Sequence, residues 1–162
     1  MSLTELPFGL PGRVFRSQMP YSTYDPSGAL VEQYVEQGIS AIVLLAGEQE
    51  YLLHTNRDLK KLYAEHGFEV IHLPITDFEV PSQEAINTAV KVAYELARQG
   101  RNIAIHCYAG IGRTGTFAAC LARQALDLSG DAAIVWVRER IPDAVENVKQ
   151  RNTVLNFQPQ EG

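Results

Sequence analysis

The sequence predicts an α/β fold: a single domain in which a central, mostly parallel sheet carries helices on both faces. Three observations point there. A helical apolar pattern, a glycine and an apolar strand recur in that order three times, the rhythm of parallel strands joined by crossover helices. The third strand runs into a tight loop of small residues and then a further helical pattern, an arrangement that builds anion sites at the carboxyl edge of a sheet. With 162 residues the chain can bury one sizeable core and no linker-like stretch divides it, so residues 1–162 read as one domain.

In chain order, Arg13 to Ser17 reads as an edge strand, and Pro20 turns the chain away from it. The first repeat is a helix from about Ser27 to Gln37, a stop at Gly38 and the strand Ala41 to Leu45. In the second, a helix from about Asn56 to His66 stops at Gly67 and gives way to the strand Phe68 to Leu73. The third helix starts at Ser82 after Pro81 and keeps Ile86, Ala89, Val90, Ala93 and Ala97 on one face. It ends at Gly100, and the strand that follows reaches His106. Glycine after each helix supplies the left-handed turn that other residues resist. A helix from about Thr114 to Leu126 comes next, then one capped by Asp131 and ended by Pro142. The last runs from about Glu146 to Phe157, and the tail Gln158 to Gly162 is expected to fray.

The formal charge of −5, from 14 basic and 19 acidic side chains, argues against a nucleic-acid partner, since phosphate-backbone binding wants a basic face. No apolar run approaches the roughly 20 residues of a membrane span, and the first residues lack the charged-then-apolar pattern of a leader. A cytoplasmic protein with no membrane partner is the expectation, and a monomer. Two cysteines make no disulfide framework. Cys120 falls inside the helical apolar pattern with Phe117 and Leu121 and reads as a small buried hydrophobe, a redox partner for Cys107 being the alternative.

The stretch that carries chemistry is His106-Cys107-Tyr108-Ala109-Gly110-Ile111-Gly112-Arg113-Thr114-Gly115, preceded by the apolar Ile103-Ala104-Ile105. A cysteine and an arginine enclose five mostly small residues. So tight a loop turns successive backbone N–H groups inward as an anion nest, and the following helix adds its positive N-terminal end. That field suits a phosphate and equally a thiolate, so Cys107 is expected to be ionised and nucleophilic. The residues Tyr108, Ala109, Gly110, Ile111, Gly112 and Arg113 form the phosphate cradle, and the planar Arg113 fork grips two oxygens.

This stretch resembles the signature of the cysteine-based protein tyrosine phosphatases, His-Cys, five residues, then Arg-Ser/Thr-Gly, with every fixed position present. The chain is most similar to the small atypical dual-specificity phosphatases. The likeness extends through Pro74-Ile75-Thr76-Asp77-Phe78 and from Glu146 to Phe157, most of the chain. It implies a phosphatase-like fold and a protein phosphatase that hydrolyses phosphotyrosine through a phosphocysteine intermediate, with activity on phosphoserine or phosphothreonine left open. Neither cofactor nor metal is implied, because Arg113 and the loop amides supply the positive potential.

Asp77 is the candidate general acid. It follows the Leu73 strand end in a loop bounded by Pro74 and Pro81, and the family places its acid there. A turn-capping role is the other reading. The Thr114 hydroxyl is assigned to the departing cysteine thiolate. His106 is expected to orient the loop through hydrogen bonds, as its counterpart does in the family; a core histidine is the plainer reading. Glu48, at the first strand end, is read as the carboxylate that orients Arg113 from behind, or else as an exposed loop residue. Gln150 matches a family position that places the hydrolytic water, against a solvated helix surface. The expected partner is a phosphorylated protein or peptide, because Tyr108, Ala109 and Ile111 carry no charge to meet the extra phosphates of a phosphoinositide.

Other readings fit less well. Gly110-x-Gly112-x-x-Gly115 fits a dinucleotide fingerprint, but the required acidic residue at the next strand end is missing. The nucleoside triphosphatase ending Gly-Lys-Ser/Thr is absent. Sulfur transferases of the rhodanese type lack the Arg-Thr-Gly continuation. A phosphate-binding pseudophosphatase and a phosphatase of non-protein monoesters such as phosphoinositides remain as alternatives.

Overall fold

The computed structural model describes residues 3–160 and builds a five-strand sheet. Its strands are β1 (Thr4–Leu6), β2 (Val14–Ser17), β3 (Ile39–Leu44), β4 (Glu69–His72) and β5 (Asn102–His106), in the order β1-β2-β5-β3-β4. β2, β5, β3 and β4 run parallel, and β1 pairs antiparallel with β2. The helices are α1 (Ala29–Glu36), α2 (Glu48–Thr55), α3 (Leu59–Glu65), α4 (Gln83–Arg98), α5 (Gly112–Leu126), α6 (Gly130–Arg140) and α7 (Val148–Leu155).

Strand alternation divides the core in two. One face presents Val14, Ala41, Val43, Ile103 and Ile105, covered by α4 through α7 with Ile86, Val90, Phe117, Leu121, Val137 and Val154. The other presents Phe15, Ile42, Leu44 and Ala104, covered by α1 to α3 with Leu30, Tyr34, Tyr51, Leu59 and Tyr63. At the carboxyl end of β5 the same alternation sends His106 toward α3 and Cys107 toward the α4 and α5 side. The end of β5 therefore separates Cys107 from its neighbouring histidine.

Four expectations need correcting. The strand near Arg13 is interior, flanked by β5 and by the short β1, whose three residues give too little alternation to read. Glu48, placed at the first strand end as a loop residue, lies in a helix. Gly47, in extended backbone, opens α2, whose weak apolar pattern hides it: Leu53 is exposed, and Tyr51 and Thr55 alone are buried. Ser129 caps α6 by accepting from Ala132 N–H, while Asp131 sits in its first turn and pairs with Arg151 at 2.8 Å. The tail is docked through Gln160, whose N–H and carbonyl both bond the Gln124 amide, at 2.7 and 3.1 Å. Glu161 and Gly162 lie outside the described residues.

Candidate active site

The parallel strands end on one edge of the sheet, and three segments meet there: the start of α2, the loop after β4, and the loop between β5 and α5. The last of these is the cradle. Three of its carbonyls are drawn outward by the surrounding framework. Cys107 O accepts from His106 Nδ1–H at 2.9 Å, Tyr108 O from Met19 N–H at 3.0 Å, and Gly110 O from Arg16 Nη2 at 2.6 Å. In a planar trans peptide the N–H opposes the C=O, so the amides of Tyr108, Ala109 and Ile111 are turned the other way, into the loop. Gly110 has φ +77°, and a Cβ there would stand 2.5 Å from Ser17 O, so only glycine lets the loop lie against β2.

Cys107 is almost wholly buried, at 2% exposure. Its Sγ receives Gly110 N–H at 3.3 Å and the Thr114 hydroxyl at 3.2 Å, both donors suited to a thiolate. The positive end of α5, from Gly112 onward, adds to that field. His106 is fully buried, and burial lowers its pKa to about 4. It is therefore a neutral imidazole that donates from Nδ1 to Cys107 O and accepts at Nε2 from Tyr63 O–H at 2.7 Å.

Arg113 has a side chain only 1% exposed and is held from behind by Glu50, Nη1 to Oε1 at 2.7 Å and Nη2 to Oε2 at 2.8 Å. Nη1 also donates to Ile75 O at 2.8 Å. Burial works against the guanidinium charge, but the Glu50 bonds, the Cys107 sulfur and Asp77 outweigh it and raise the pKa. The buried Arg113 Nε has no hydrogen-bond partner among the described residues. A buried guanidinium donor wants an acceptor. The Asp77 carboxylate stands 3.4 Å from Arg113 Nη2 with 46% of its side chain exposed, facing the mouth.

The structure thus brings together Cys107, Arg113, Thr114, Asp77 and His106, along with the whole cradle. It does not bring Glu48 to Arg113. Glu48 is exposed on the first turn of α2, and Glu50 makes the bidentate pair. Residues two apart on a helix point nearly opposite ways, so once 48–55 is helical only one of the two carboxylates can face inward. Gln150 is not on a solvated surface: it is fully buried, its Oε1 accepts from Glu146 N–H at 2.7 Å, and its Nε2 has no hydrogen-bond partner among the described residues. Glu146 also reaches the cradle, its carboxylate filling the space a side chain at Gly112 would need. Burial first, then the charge of Asp77, raise the Glu146 pKa.

Sequence reasoning also missed Arg16, half-buried beside the cradle with its pKa lowered by partial burial. An arginine inside the apolar Val14-Phe15-Arg16-Ser17 was the available signal. Tyr108 is built into an aromatic wall: His54 stacks on it at 3.9 Å, Tyr24 meets it edge-on at 5.1 Å, and Thr23 bonds its hydroxyl at 3.1 Å. Beside the site, a cleft of about 670 Å³ runs between α2 and the Asp77 loop, lined by Glu48, Glu50, Leu52, Pro74 and Thr76 among others.

A protein-family model described as "Polymorphic toxin system, DSP-PTPase phosphatase" matches residues 21–125. The chain is 31% identical over 136 residues to protein tyrosine phosphatase domain-containing protein 1 of Mus musculus, a match covering 79% of this chain and 18% of that protein. It is 27% identical over 128 residues to a phosphatidylglycerophosphate phosphatase of Arabidopsis thaliana, covering 78% of this chain and 36% of that one. It thus spans under a fifth of the mouse relative and about a third of the plant one. Among solved structures, Tk-PTP in its active form superposes with a TM-score of 0.77 at 29% identity, covering 97% of each chain. A kinase associated phosphatase shares the fold at a TM-score of 0.83 and 23% identity, over 97% of this chain and 93% of that one.

Proposed function

We propose, from the premise that this chain belongs to the dual-specificity phosphatases of the cysteine-based protein tyrosine phosphatase family, that it hydrolyses phosphotyrosine in protein or peptide substrates through a phosphocysteine intermediate. The observation that carries this is the setting of Cys107 Sγ, with two donors on it and the Arg113 guanidinium close enough to feel its charge. The Cys107 thiolate attacks phosphorus in line with the ester oxygen. Arg113 and the amides hold the three equatorial oxygens, where charge gathers. As the P–O bond breaks, Asp77 gives its proton to the leaving oxygen. Water then attacks the phosphocysteine with ionised Asp77 taking its proton, and the Thr114 hydroxyl stabilises the sulfur as the P–S bond breaks. Phosphate leaves and both groups regain their starting states.

Two features favour a phosphotyrosyl protein over a phosphoinositide. The wall of Tyr108, His54 and Tyr24 offers an aromatic surface beside the cradle. Of the acidic groups near the mouth, Glu50 and Glu79 are paired with Arg113 and Lys149, but Glu48 and Glu146 are in no ion pair among the described residues, while Arg16 and Arg113 are committed to the cradle itself, so additional phosphates would meet negative charge. The test is hydrolysis of para-nitrophenyl phosphate with EDTA present by wild type, Cys107→Ser and Asp77→Ala, then of a phosphotyrosyl peptide, a phosphoseryl peptide and a phosphoinositide. Wild type should turn over, the serine variant should be inactive, and the alanine variant slower by roughly a hundredfold. Phosphotyrosine should be the best substrate. Phosphate or vanadate binding without turnover would assign a binding module instead, and preference for the lipid would move the chain to the non-protein phosphatases.

A further inference from the structure

The loop that carries Asp77 has few holdfasts of its own. Ile75 N–H bonds Leu45 O at 3.0 Å where the strand ends, and Glu79 N–H bonds Thr76 O at 2.9 Å to close a turn. Between them Phe78 takes a left-handed conformation, φ +65°, unfavourable for a bulky residue unless its surroundings hold it. Its side chain is 58% exposed. Asp77 Oδ1 itself accepts the Phe78 N–H at 3.0 Å, the local turn contact, and among the described residues the remaining polar ties to positions 78 and 79 come from the N-cap and first residues of α7. Asn147 Nδ2 donates to Phe78 O at 2.8 Å, and Lys149 Nζ pairs with the Glu79 carboxylate at 3.0 and 3.1 Å.

The Asn147 amide can make its contact in one orientation only. Its Oδ1 accepts the Gln150 N–H at 2.9 Å and caps α7. With the oxygen fixed on the helix, the NH₂ group faces Phe78 O, a pure acceptor. An asparagine thus couples a helix end to the acid loop, whereas aspartate or serine would cap the helix equally well and leave the loop untied. The Lys149–Glu79 pair is exposed on both sides and holds the loop weakly.

We propose that Asn147 is a positioning residue for phosphoryl transfer: through Phe78 O it fixes the backbone beside Asp77, so that the Asp77 carboxyl stands over Arg113 ready to protonate the leaving oxygen. The inference rests on the reading of Asp77 as the general acid. Asn147 does not touch substrate, so its whole effect passes through Asp77.

The measurement is kcat/KM, which stops at transfer to cysteine, for Asn147→Ser and Asn147→Asp with phenyl phosphate and with 2,4-dinitrophenyl phosphate. Phenoxide needs a proton as it departs; dinitrophenoxide hardly does. The variants should lose roughly tenfold or more on phenyl phosphate, as a misplaced catalytic group does, and under about twofold on the dinitrophenyl ester, for which protonation matters little. In an Asp77→Ala background Asn147→Ser should add no further loss, and Lys149→Ala alone should stay within about twofold of wild type. An equal loss on both esters, a loss that persists without Asp77, or no loss at all would overturn the proposal. If Asp77→Ala is itself as fast as wild type on phenyl phosphate, the assignment of the acid fails and the role of Asn147 falls with it.

Discussion

A single shift of two residues separates the carboxylate that the sequence suggests from the one that grips Arg113. Arg113 is buried, and a buried guanidinium that loses a partner is left with unmet donors and charge. Glu50→Gln keeps the shape and removes the charge and one of the paired acceptors. It should destabilise the protein by about 1–3 kcal/mol and weaken vanadate binding, because Arg113 is no longer held in place. Glu48→Gln, on the exposed side of the same turn, should change stability by less than about 0.5 kcal/mol and leave binding intact. Urea denaturation and vanadate inhibition of both variants check this, and equal effects would contradict the geometry. What was legible at this scale followed from local chemistry: Cys107, Arg113 and Thr114 lie within one short stretch of sequence, and Asp77 follows a strand end. Glu50, Arg16, His54 and Glu146 reach the cradle from elements far away in sequence, and no spacing rule relates them to it.

The elements divide in the same way. α4 declares itself by a capping serine, whose hydroxyl accepts Ala85 N–H at 3.1 Å, and by an apolar stripe fully turned to the core. α2 has neither, because its work is to present Glu50 and His54 at the rim and not to fill the core. The cradle is the element most dependent on backbone freedom, and Gly110 is where that freedom is used. Alanine there faces a left-handed φ and the Ser17 carbonyl together. Gly110→Ala should lose about 1–3 kcal/mol of stability, and more tellingly should abolish vanadate binding, since the loop must lift from β2 and carry the Gly110 N–H off Cys107 Sγ. Isothermal titration with vanadate, beside a thermal melt to show that the variant folds, tests it. Vanadate affinity unchanged from wild type would mean that the loop does not need this conformation.

At the scale of the whole molecule, the two faces of the sheet were readable because strand alternation and helix stripes are global regularities, and the antiparallel β1 was not, being three residues long. The alternation also buries His106 in the face opposite Cys107, and that has a consequence for the stability of the entire fold. Burial lowers the His106 pKa to about 4, against about 6.5 in the unfolded chain. Between those values the unfolded state binds a proton that the folded state refuses, so stability rises with pH. The contribution is fully present above pH 6.5 and is lost as pH falls toward 4, up to about 3 kcal/mol in all. Urea denaturation at pH 7.0, 6.0 and 5.0, above the range where carboxylates titrate most, should show a steady loss of stability. In His106→Gln the starting stability should be lower, since the bonds to Tyr63 and Cys107 O are altered, yet the slope across the same range should flatten. A slope unchanged by the substitution would place the acid sensitivity elsewhere, whereas a flattened one would tie the geometry of the cradle, through the Cys107 carbonyl, to a histidine that must stay neutral for the molecule to fold.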